Sequence, residues 1–445
     1  MGIPLLIGAA SAALLLARAA DARRERPSAA SAVARRGRPH RVVVIGAGFG
    51  GLAAAADLAG VPGVEVTVLD RRNHHLFQPM LYQVATAVLS PDDIAQPIRG
   101  LLAPEGVRVR VEQVTGVDTR AREVLCDGGR VPYDTLVVAT GSEVSYFGHD
   151  DWAEAARGLK DLDDAIVLRR HILDAFEQAA TASDPAERER LLTFVLVGGG
   201  PTGVEMAGSV AELARTALPR DYPAMRAHAR IVLVEAGPAI LGQFAPELSR
   251  YTVDVLRGLG VDIRTGTPVT GIEPGLVRLG DAALPAGTVI WTAGVRATPV
   301  AQWLGVAPGR GGQVPVGPDL SVPGRPEVFV VGDAALALGR DGKPLPGLAA
   351  VAKQQGRYVA RAIRRRLRGA GTRPFGYRDY GALAIISRNQ AVAELGRVHL
   401  TGFLAALLWA VVHIFFLIGF RNRTLVGTQW LITAATHQRA GTIIR

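Results

Sequence analysis

The feature that most constrains the fold is a glycine-rich turn between a β-branched run and an alanine-rich stretch. The run is VVVI at residues 42–45, the turn is GAGFGG at 46–51, and a second apolar run, residues 64–69, ends in Asp70. Consecutive β-branched residues are typical of a buried parallel strand. The order predicts a strand–turn–helix–strand unit that ends in an acid, which is the pattern of a dinucleotide-binding fold.

Each glycine of this turn has a predicted task. Gly46 permits the tight turn, Gly48 lets the backbone approach a pyrophosphate, and Gly51 lets the helix pack closely on the strand. The helix N-terminus would then present its free N–H groups and its dipole to the phosphates. A glycine-rich turn that binds no ligand is the alternative interpretation.

A second copy of the pattern begins at Thr193. An apolar run precedes GGGPTG at residues 198–203, a predicted helix covers 204–213, and a second strand, residues 230–234, leads to Glu235. The spacing from the glycines to Glu235 is longer than usual, and a helix and loop over 215–229 would absorb the difference. The sequence therefore predicts an α/β protein with two Rossmann-like domains that hold two different dinucleotides.

Two further apolar runs end in small or acidic residues. One leads to Thr140 and Gly141, and the other leads to Gly332 and Asp333. Such strand ends lie at the carboxyl edge of a parallel sheet, where doubly wound folds bind ligands. Asp333 would accept hydrogen bonds from a ribityl chain; alternatively, it caps an alanine-rich helix that follows.

Composition excludes several classes of protein. Hydrophobic residues make up 49% of the 445 residues, which is incompatible with a disordered chain. The single cysteine, Cys126, excludes a disulfide framework, a CxxC pair and a multi-cysteine metal site. The net charge of +10 fits a solvated arginine-rich surface or apposition to anionic lipid, because no nucleic-acid-binding motif accompanies it.

Hydrophobic segments lie near both ends of the chain. Residues 2–20 are apolar except for Arg18 and precede a basic run, which predicts an uncleaved anchor with the remainder of the chain in the cytoplasm. A cleaved or interfacial segment is the alternative. Residues 400–420 contain no Asp, Glu, Lys or Arg, so this stretch is a transmembrane candidate, although a hairpin or a helix lying in the membrane interface also fits. We expect it to contact a membrane or a dimer partner; an internal core helix is the alternative. His413 within it is interpreted as a satisfied polar residue.

Several longer motifs carry a resemblance to a known family. They are NHHLFQPMLYQVAT at 73–86, SYFG at 145–148, GGGPTGVEMAG at 198–208, WTAGV at 291–295, and the apolar tail from Gly402 to Arg421. Together with the two nested units, they resemble type II NADH dehydrogenases, the single-subunit, non-proton-pumping NADH:quinone oxidoreductases. These belong to the flavoproteins with two dinucleotide-binding domains. The resemblance runs from about residue 40 to beyond residue 430.

The resemblance implies FAD in the first unit, NADH in the second, and a quinone that arrives from the membrane. The implied FAD residues are Gly46, Gly48, Phe49, Gly50, Gly51, Asp70, Thr140, Gly141, Gly332 and Asp333. The implied NADH residues are Gly198, Gly200, Pro201, Thr202, Gly203, Glu235 and Gly294. Asp70 and Glu235 would bind the adenosine riboses, and Glu235 would repel the 2′-phosphate of NADPH.

Glu205 is the implied catalytic residue. In the family the glutamate at this position is proposed to help protonate quinone, and the sequence predicts it in the first turn of the second unit's helix. A carboxylate there could instead simply stabilise the helix N-terminus.

The implied quinone contacts are Lys353 and Gln354. The family has an Ala-Gln-x-Ala-x-Gln stretch here, and Ala350 replaces its first glutamine in this chain. The alternative for Lys353 and Gln354 is that they are ordinary polar residues at the start of a helix.

The predicted domains are an N-terminal anchor and linker over 1–39, an FAD domain over 40–156 and 292–375, an NADH domain over 157–291, and a membrane-associating region over 376–445. A homodimer on the cytoplasmic side of the cell membrane is expected. No hydrophobic segment carries a series of carboxylates or lysines that would relay protons, so proton pumping is not expected.

Two rival functions need different chemistry. Sulfide:quinone oxidoreductases and disulfide reductases share this architecture but require a redox cysteine pair, which Cys126 alone does not supply. Ferredoxin-type reductases stay open, although they need no apolar tail. A membrane-bound NADH-oxidising flavoprotein with a non-quinone acceptor or a redox-sensing role also stays open, because Ala350 departs from the family pattern.

Overall fold

A computed structural model of the chain describes residues 38–217, 222, 229–436 and 439. The predicted anchor and linker therefore lie outside the described residues, apart from Arg38 and Pro39. The chain forms two compact units. The first runs through His75, from Gln96 to Glu143 and from Arg296 to Asp379; the second comprises Leu76–Ala95, Val144–Val295 and the chain from Tyr380 onward. The domain bounds given above stay a prediction.

The first unit is built on a six-stranded sheet that is parallel except at one edge. Its strands, in spatial order, are Ser321–Val322, Arg325–Val330, Thr135–Val138, His40–Ile45, Val64–Asp70 and Arg108–Val111. A three-stranded antiparallel sheet is formed by Val114–Asp118, Glu123–Cys126 and Gly129–Pro132. The α-helices of this unit are Phe49–Leu58, Ile98–Leu102, Val300–Leu304 and Ala349–Leu367.

The central strand explains why the first apolar run contains no polar residue. Val42 and Val44 face one hydrophobic cluster, while Val43 and Ile45 face another, and all four are at most 3% exposed. Successive side chains of a strand point to opposite faces, so a strand covered on both sides must be apolar throughout.

Two helices of the first unit cross at glycines. Helices Phe49–Leu58 and Ala349–Leu367 pack together on one face of the sheet. A Cβ placed on Gly356 would overlap the carbonyl oxygen of Gly50. The helices therefore pack at backbone distance, which holds the start of the first helix in place.

The second unit contains a five-stranded parallel sheet. Its strands, in spatial order, are Ala156–Gly158, Thr288–Trp291, Thr193–Val197, Arg230–Val234 and Val261–Arg264. Two antiparallel sheets comprise Val269–Glu273, Leu276–Leu279 and Ala282–Pro285, and Ala382–Ser387, Gln390–Leu395 and Val398–Thr401. The α-helices are Leu81–Ala85, Pro91–Ile94, Leu162–Thr181, Pro185–Leu191, Pro201–Glu212, Pro246–Gly258, Gly402–Phe416 and Phe420–Thr436.

Shorter elements connect these helices and strands, among them 3-10 helices at Gln78–Met80, Ala103–Glu105, Asp150–Ala153 and Arg310–Gly312. Short strands lie at His74–Leu76, Ala95–Pro97, Ser142–Val144, Val295–Ala297, Val314–Pro315 and Ala335–Leu336. A π-helical turn, Leu213–Ala217, follows helix Pro201–Glu212. The rest of the stretch predicted to absorb the longer spacing lies outside the described residues, apart from Tyr222 and Ala229.

The C-terminal apolar stretch folds as two helices, Gly402–Phe416 and Phe420–Thr436, which we call the C-terminal helix pair. Ala405, Ala406 and Trp409 form the buried face of the first helix. The ring of His413 stacks on the ring of Trp409, with 4.0 Å between the ring centroids. His413 Nδ1 also donates to the carbonyl oxygen of Trp409, so the polar ring has a partner within its own helix. Across residues 38–217 and 229–436, no helix has both the length and the apolar character needed to cross a membrane.

Candidate functional site

The first glycine turn forms an open backbone cradle, which we call the first cradle (residues 46–51). Gly46 has φ +92°, a conformation that favours glycine. A Cβ on Gly51 would overlap the Gly46 carbonyl oxygen, whereas a Cβ on Gly48 would meet no atom within 4 Å. The first and third glycines are therefore needed to close the turn, and the second faces open space at the N-terminus of helix Phe49–Leu58.

The second cradle, residues 198–203, repeats this geometry. Gly198 has φ +110°, and a Cβ on Gly203 would overlap the Gly198 carbonyl oxygen. Gly200 precedes helix Pro201–Glu212 and has no atom within 4 Å of where its Cβ would lie. Each cradle thus opens at the N-terminus of a helix, where backbone N–H groups point toward an anion, and both fit a dinucleotide pyrophosphate.

A carboxylate ties the end of the next strand to each cradle. Asp70 accepts from the Ala47 N–H at 2.7 Å and from the Arg72 N–H at 2.8 Å. Glu235 accepts from the N–H groups of Gly199 and Gly237, both at 2.6 Å. Because each carboxylate oxygen has two lone pairs, these bonds leave room to accept ribose hydroxyls. The longer spacing before Glu235 therefore leaves this pairing intact.

At the carboxyl edge of the first unit, Asp333 lies in a single 3-10 turn, Gly332–Ala334. The alternative that it caps an alanine-rich helix is wrong, because the chain continues as strand Ala335–Leu336. Asp333 accepts from the Ser142 hydroxyl at 2.6 Å. Beside it, the Gly332 N–H donates to Gln355 Oε1 at 2.6 Å, a buried contact that sequence reasoning missed.

The other predicted residues of the two dinucleotide sites lie near the cradles of their own units. Thr140 hydrogen-bonds the Thr298 hydroxyl at 2.6 Å, and Gly141 has φ +72°. Phe49 begins the first helix and packs edge-on to His75, with 5.2 Å between the ring centroids. In the second unit, Pro201 and Thr202 open the helix.

Glu205 is the fifth residue of helix Pro201–Glu212, so its predicted place in the first turn is wrong. The backbone nitrogen of Ile385, on strand Ala382–Ser387 of the same unit, lies 3.5 Å from Glu205 Oε1. Burial raises the pKa of Glu205 to about 8, against smaller opposing effects of the Ile385 amide and the Trp409 side chain. A carboxyl that is mostly protonated near pH 7 does not stabilise a helix dipole, but it is suited to donating a proton.

Sequence reasoning missed a polar cluster in which Ser209, on the same helix, meets residues from two other segments of the chain. Thr86 and Ser209 hydroxyls meet at 2.7 Å, and Arg439 donates to their carbonyl oxygens at 2.6 and 3.1 Å. Gln83 donates to the Tyr82 hydroxyl at 2.8 Å. Three of these residues lie in the motif at 73–86, whose length signalled their importance. Arg439 carried no local signal, because only the fold brings it there.

The two predicted quinone contacts, Lys353 and Gln354, lie on helix Ala349–Leu367 of the first unit. The Gln354 side-chain amide makes two hydrogen bonds to the Arg378 backbone, donating at 2.9 Å and accepting at 3.0 Å. Lys353 precedes it on helix Ala349–Leu367, and Ala350 is the second residue of that helix. The amide of Gln354 is therefore held in one orientation by this backbone.

Cys126 is suited neither to redox nor to metal chemistry. Burial and the neighbouring Glu112 carboxylate raise the pKa of its thiol to about 11, so almost none of it is thiolate near neutral pH. No set of three or more His, Cys, Asp or Glu side chains that could hold a metal ion occurs within the described ranges.

Comparison with known proteins agrees with this geometry. Residues 40–356 match the family described as pyridine nucleotide-disulphide oxidoreductase. Type II NADH:quinone oxidoreductase Ndh of Mycobacterium tuberculosis is 42% identical over 420 residues, which cover 90% of this chain and 89% of the relative. The type II NADH:quinone oxidoreductase of Staphylococcus haemolyticus is 30% identical, covering 84% of this chain and 94% of the relative.

A solved structure, NDH2 from Plasmodium falciparum in complex with NADH, matches with a TM-score of 0.84. The match covers 91% of this chain and 100% of that chain at 20% identity, so it supports the fold alone. The two relatives carry the assignment further, because their alignments cover 90% and 84% of this chain at 42% and 30% identity. On this ground the chain is an oxidoreductase that belongs to the type II NADH:quinone oxidoreductases.

Proposed function

We propose that the chain oxidises NADH through a bound FAD and reduces a membrane quinone by two electrons, without pumping protons. The observation that supports this best is the repeated cradle. Each unit pairs an open glycine backbone with a carboxylate at the next strand end, so the chain has one dinucleotide site for a cofactor and another for a substrate.

When bound, FAD would take hydride from NADH and pass the two electrons to the quinone, so that NADH, quinone and a proton become NAD⁺ and quinol. The residues of this chain bind and orient the reactants. Asp70 would hold the FAD ribose and Glu235 the NADH ribose. Glu205 would donate a proton to the reduced quinone, and Lys353 and Gln354 would contact it.

The test is steady-state turnover of the chain purified in detergent. The flavin spectrum would be recorded first, and NADH oxidation then followed with short-chain ubiquinone and menaquinone analogues. Quinone-dependent oxidation of NADH but not NADPH is the expected result. Flavin bleaching by NADH without quinone turnover would contradict the proposal and point to another acceptor, in line with Ala350. If NADH did not bleach the flavin, both the quinone acceptor and the alternative acceptor would be contradicted, because the chain would not oxidise NADH.

Glu235 is expected to set the preference for NADH. Its carboxylate at the second cradle would repel a 2′-phosphate, so Glu235→Ser should shift the ratio of kcat/KM values toward NADPH by at least about tenfold. The measurement is flavin reduction by each nucleotide. Glu273→Ser, which removes an exposed carboxylate of the same unit, is the control and should leave the ratio unchanged. A ratio that stays at the wild-type value in Glu235→Ser would show that another residue reads the ribose.

We propose that the C-terminal helix pair docks this protein on the cytoplasmic face of the cell membrane. Phe403, Leu404, Leu407 and Val411 are all exposed on the first helix, opposite its buried face. Such an apolar stripe is typical of a helix lying in the membrane interface. The exposed Phe420 and the arginines that follow it suit the headgroup region. The proposed homodimer is supported only by the family resemblance.

Charges in this stripe are expected to abolish membrane binding. With the predicted anchor, residues 2–20, removed from every protein compared, the double variant Phe403→Glu, Leu404→Glu should remain in the supernatant when sedimented with phosphatidylglycerol-containing vesicles. It should still oxidise NADH with a water-soluble quinone at the rate of the protein without the two substitutions. Val111→Glu, at a valine 47% exposed on a strand of the first unit, is the matched control and should still sediment. Sedimentation of the double variant with the vesicles would contradict the proposed docking face.

A further inference from the structure

Phe147 combines two features that folding alone does not explain. The residue is 67% exposed, and its backbone has φ +54°. A bulky residue in this left-handed region is uncommon and strained, and such strain persists at sites where the surroundings hold it for a function. The ring has an aromatic neighbour, Trp291, at 6.1 Å between the ring centroids, but most of Phe147 stays exposed, so burial accounts for its position only in part.

The loop that carries Phe147 is fastened to the second unit. The Phe147 N–H donates to the Ser145 hydroxyl at 3.3 Å, and the Ser145 N–H donates to the Gly294 carbonyl at 3.1 Å. The Trp291 indole N–H donates to the Ser145 carbonyl at 2.9 Å. The Tyr146 hydroxyl donates to the Ala156 carbonyl at 2.7 Å. The loop is therefore set in place by its neighbours and not by the ring of Phe147.

The ring lies against Gly294, which follows strand Thr288–Trp291. A Cβ at Gly294 would overlap the ring of Phe147, so only glycine leaves room for it there. Gly294 also adjoins the second cradle: a Cβ on Gly198 would lie 2.7 Å from Ala293 Cα. Phe147 is thus an exposed aromatic ring at the edge of the predicted NADH site.

Strand order assigns a half of the dinucleotide to this ring. Strands Arg230–Val234 and Thr288–Trp291 flank Thr193–Val197 on opposite sides. Glu235 follows the first of these strands, and Gly294 lies beyond the second. A dinucleotide with its pyrophosphate at Gly200 and its adenosine ribose at Glu235 would extend its other half toward Gly294.

We infer that Phe147 is a substrate-positioning residue whose exposed ring packs against the nicotinamide ring of NADH. This inference rests on the proposed function of the second cradle, since it requires that the adenosine half lies at Glu235. The bent backbone at residue 147 holds the ring at the cradle edge before the substrate arrives, so the contact needs no reordering of the loop.

The test compares ligands with and without nicotinamide on the flavin-loaded protein. In Phe147→Ala, the dissociation constant of NADH, measured from the concentration dependence of flavin reduction, should rise about tenfold, the scale of one lost aromatic stacking contact. Binding of ADP-ribose, which lacks nicotinamide, should stay unchanged when measured by competition. Phe147→Tyr, which keeps the flat ring, should restore NADH binding.

Two results would overturn the inference. Equal weakening of NADH and ADP-ribose in Phe147→Ala would mean that the ring only supports the loop, and wild-type affinity for both would mean that it touches neither. In both cases, NADH still reduces the wild-type flavin. Failure of the wild-type protein to be reduced by NADH would instead refute the proposed function itself.

Discussion

Replacing Glu205 with glutamine is expected to slow quinone reduction by about 100-fold, the lower range of what a positioned general acid contributes. The amide has nearly the shape of the carboxyl group but has no proton to transfer at neutral pH. Reduction of the flavin by NADH should continue at the wild-type rate, because that step takes no proton from Glu205. Stopped-flow measurement of the two half-reactions separates these effects.

The protonation state of Glu205 also predicts how the rate of quinone reduction changes with pH. Since the pKa of Glu205 is raised to about 8, the acid holds its proton below that pH and loses it above. Wild-type quinone reduction should therefore fall as the pH rises through about 8, and the rate of Glu205→Gln should stay level there. Glu212→Gln, on the same helix, is the matched control and should keep the wild-type profile. Unchanged quinone turnover in a folded Glu205→Gln would exclude the proton-donor role.

The cradles were predictable from the sequence because their chemistry is local. Gly46, Gly51 and the strand before them lie within a dozen residues, and the turn conformation depends on glycine at fixed positions. The repeat at 198–203 followed from the same spacing. Asp70 and Glu235 were predictable because each lies at the end of a strand that pairs with its cradle's own strand: Asp70 is the last residue of one, and Glu235 directly follows the other.

The surroundings of Glu205 were not predictable because they are assembled from distant segments. Ile385 and Trp409, whose hydrogen-bonding groups face the carboxyl, are 180 and 204 residues further along the chain. The helix was also predicted to begin at residue 204, whereas it begins at Pro201, and this earlier start puts Glu205 beyond the first turn. Desolvation is a property of tertiary packing, so no local pattern signals it.

The directions in which neighbouring helix residues point explain a second difference between the sequence prediction and the structure. Gln354 and Gln355 are neighbours in sequence, but adjacent residues on a helix point about 100° apart. Gln355 points inward to the Gly332 N–H, whereas Gln354 hydrogen-bonds the Arg378 backbone. The family motif drew attention to Gln354, and only the structure identified Gln355 as the residue that supports the turn before Asp333.

Substitutions at two glycines of the second cradle are also expected to have large effects, one on NADH binding and the other on folding. Gly200→Ala should fold and keep its flavin, since the new methyl group meets no atom within 4 Å and φ is −71°, which alanine tolerates. The methyl group would occupy the space through which the backbone approaches the pyrophosphate. A displacement of bound substrate by about 1 Å costs about 100-fold in rate, so flavin reduction by NADH should fall by that factor.

Gly203→Ala should fail for a different reason, because its methyl group would overlap the Gly198 carbonyl oxygen and open the turn. Overpacking of this kind destabilises by about 1–3 kcal/mol, so thermal unfolding should shift to lower temperature. Gly258→Ala, in a position where a Cβ also meets no atom within 4 Å, is the control and should affect neither quantity. If Gly200→Ala were reduced by NADH as fast as the wild-type protein, the pyrophosphate would not lie at Gly200, and the dinucleotide assignment of the second cradle would be wrong.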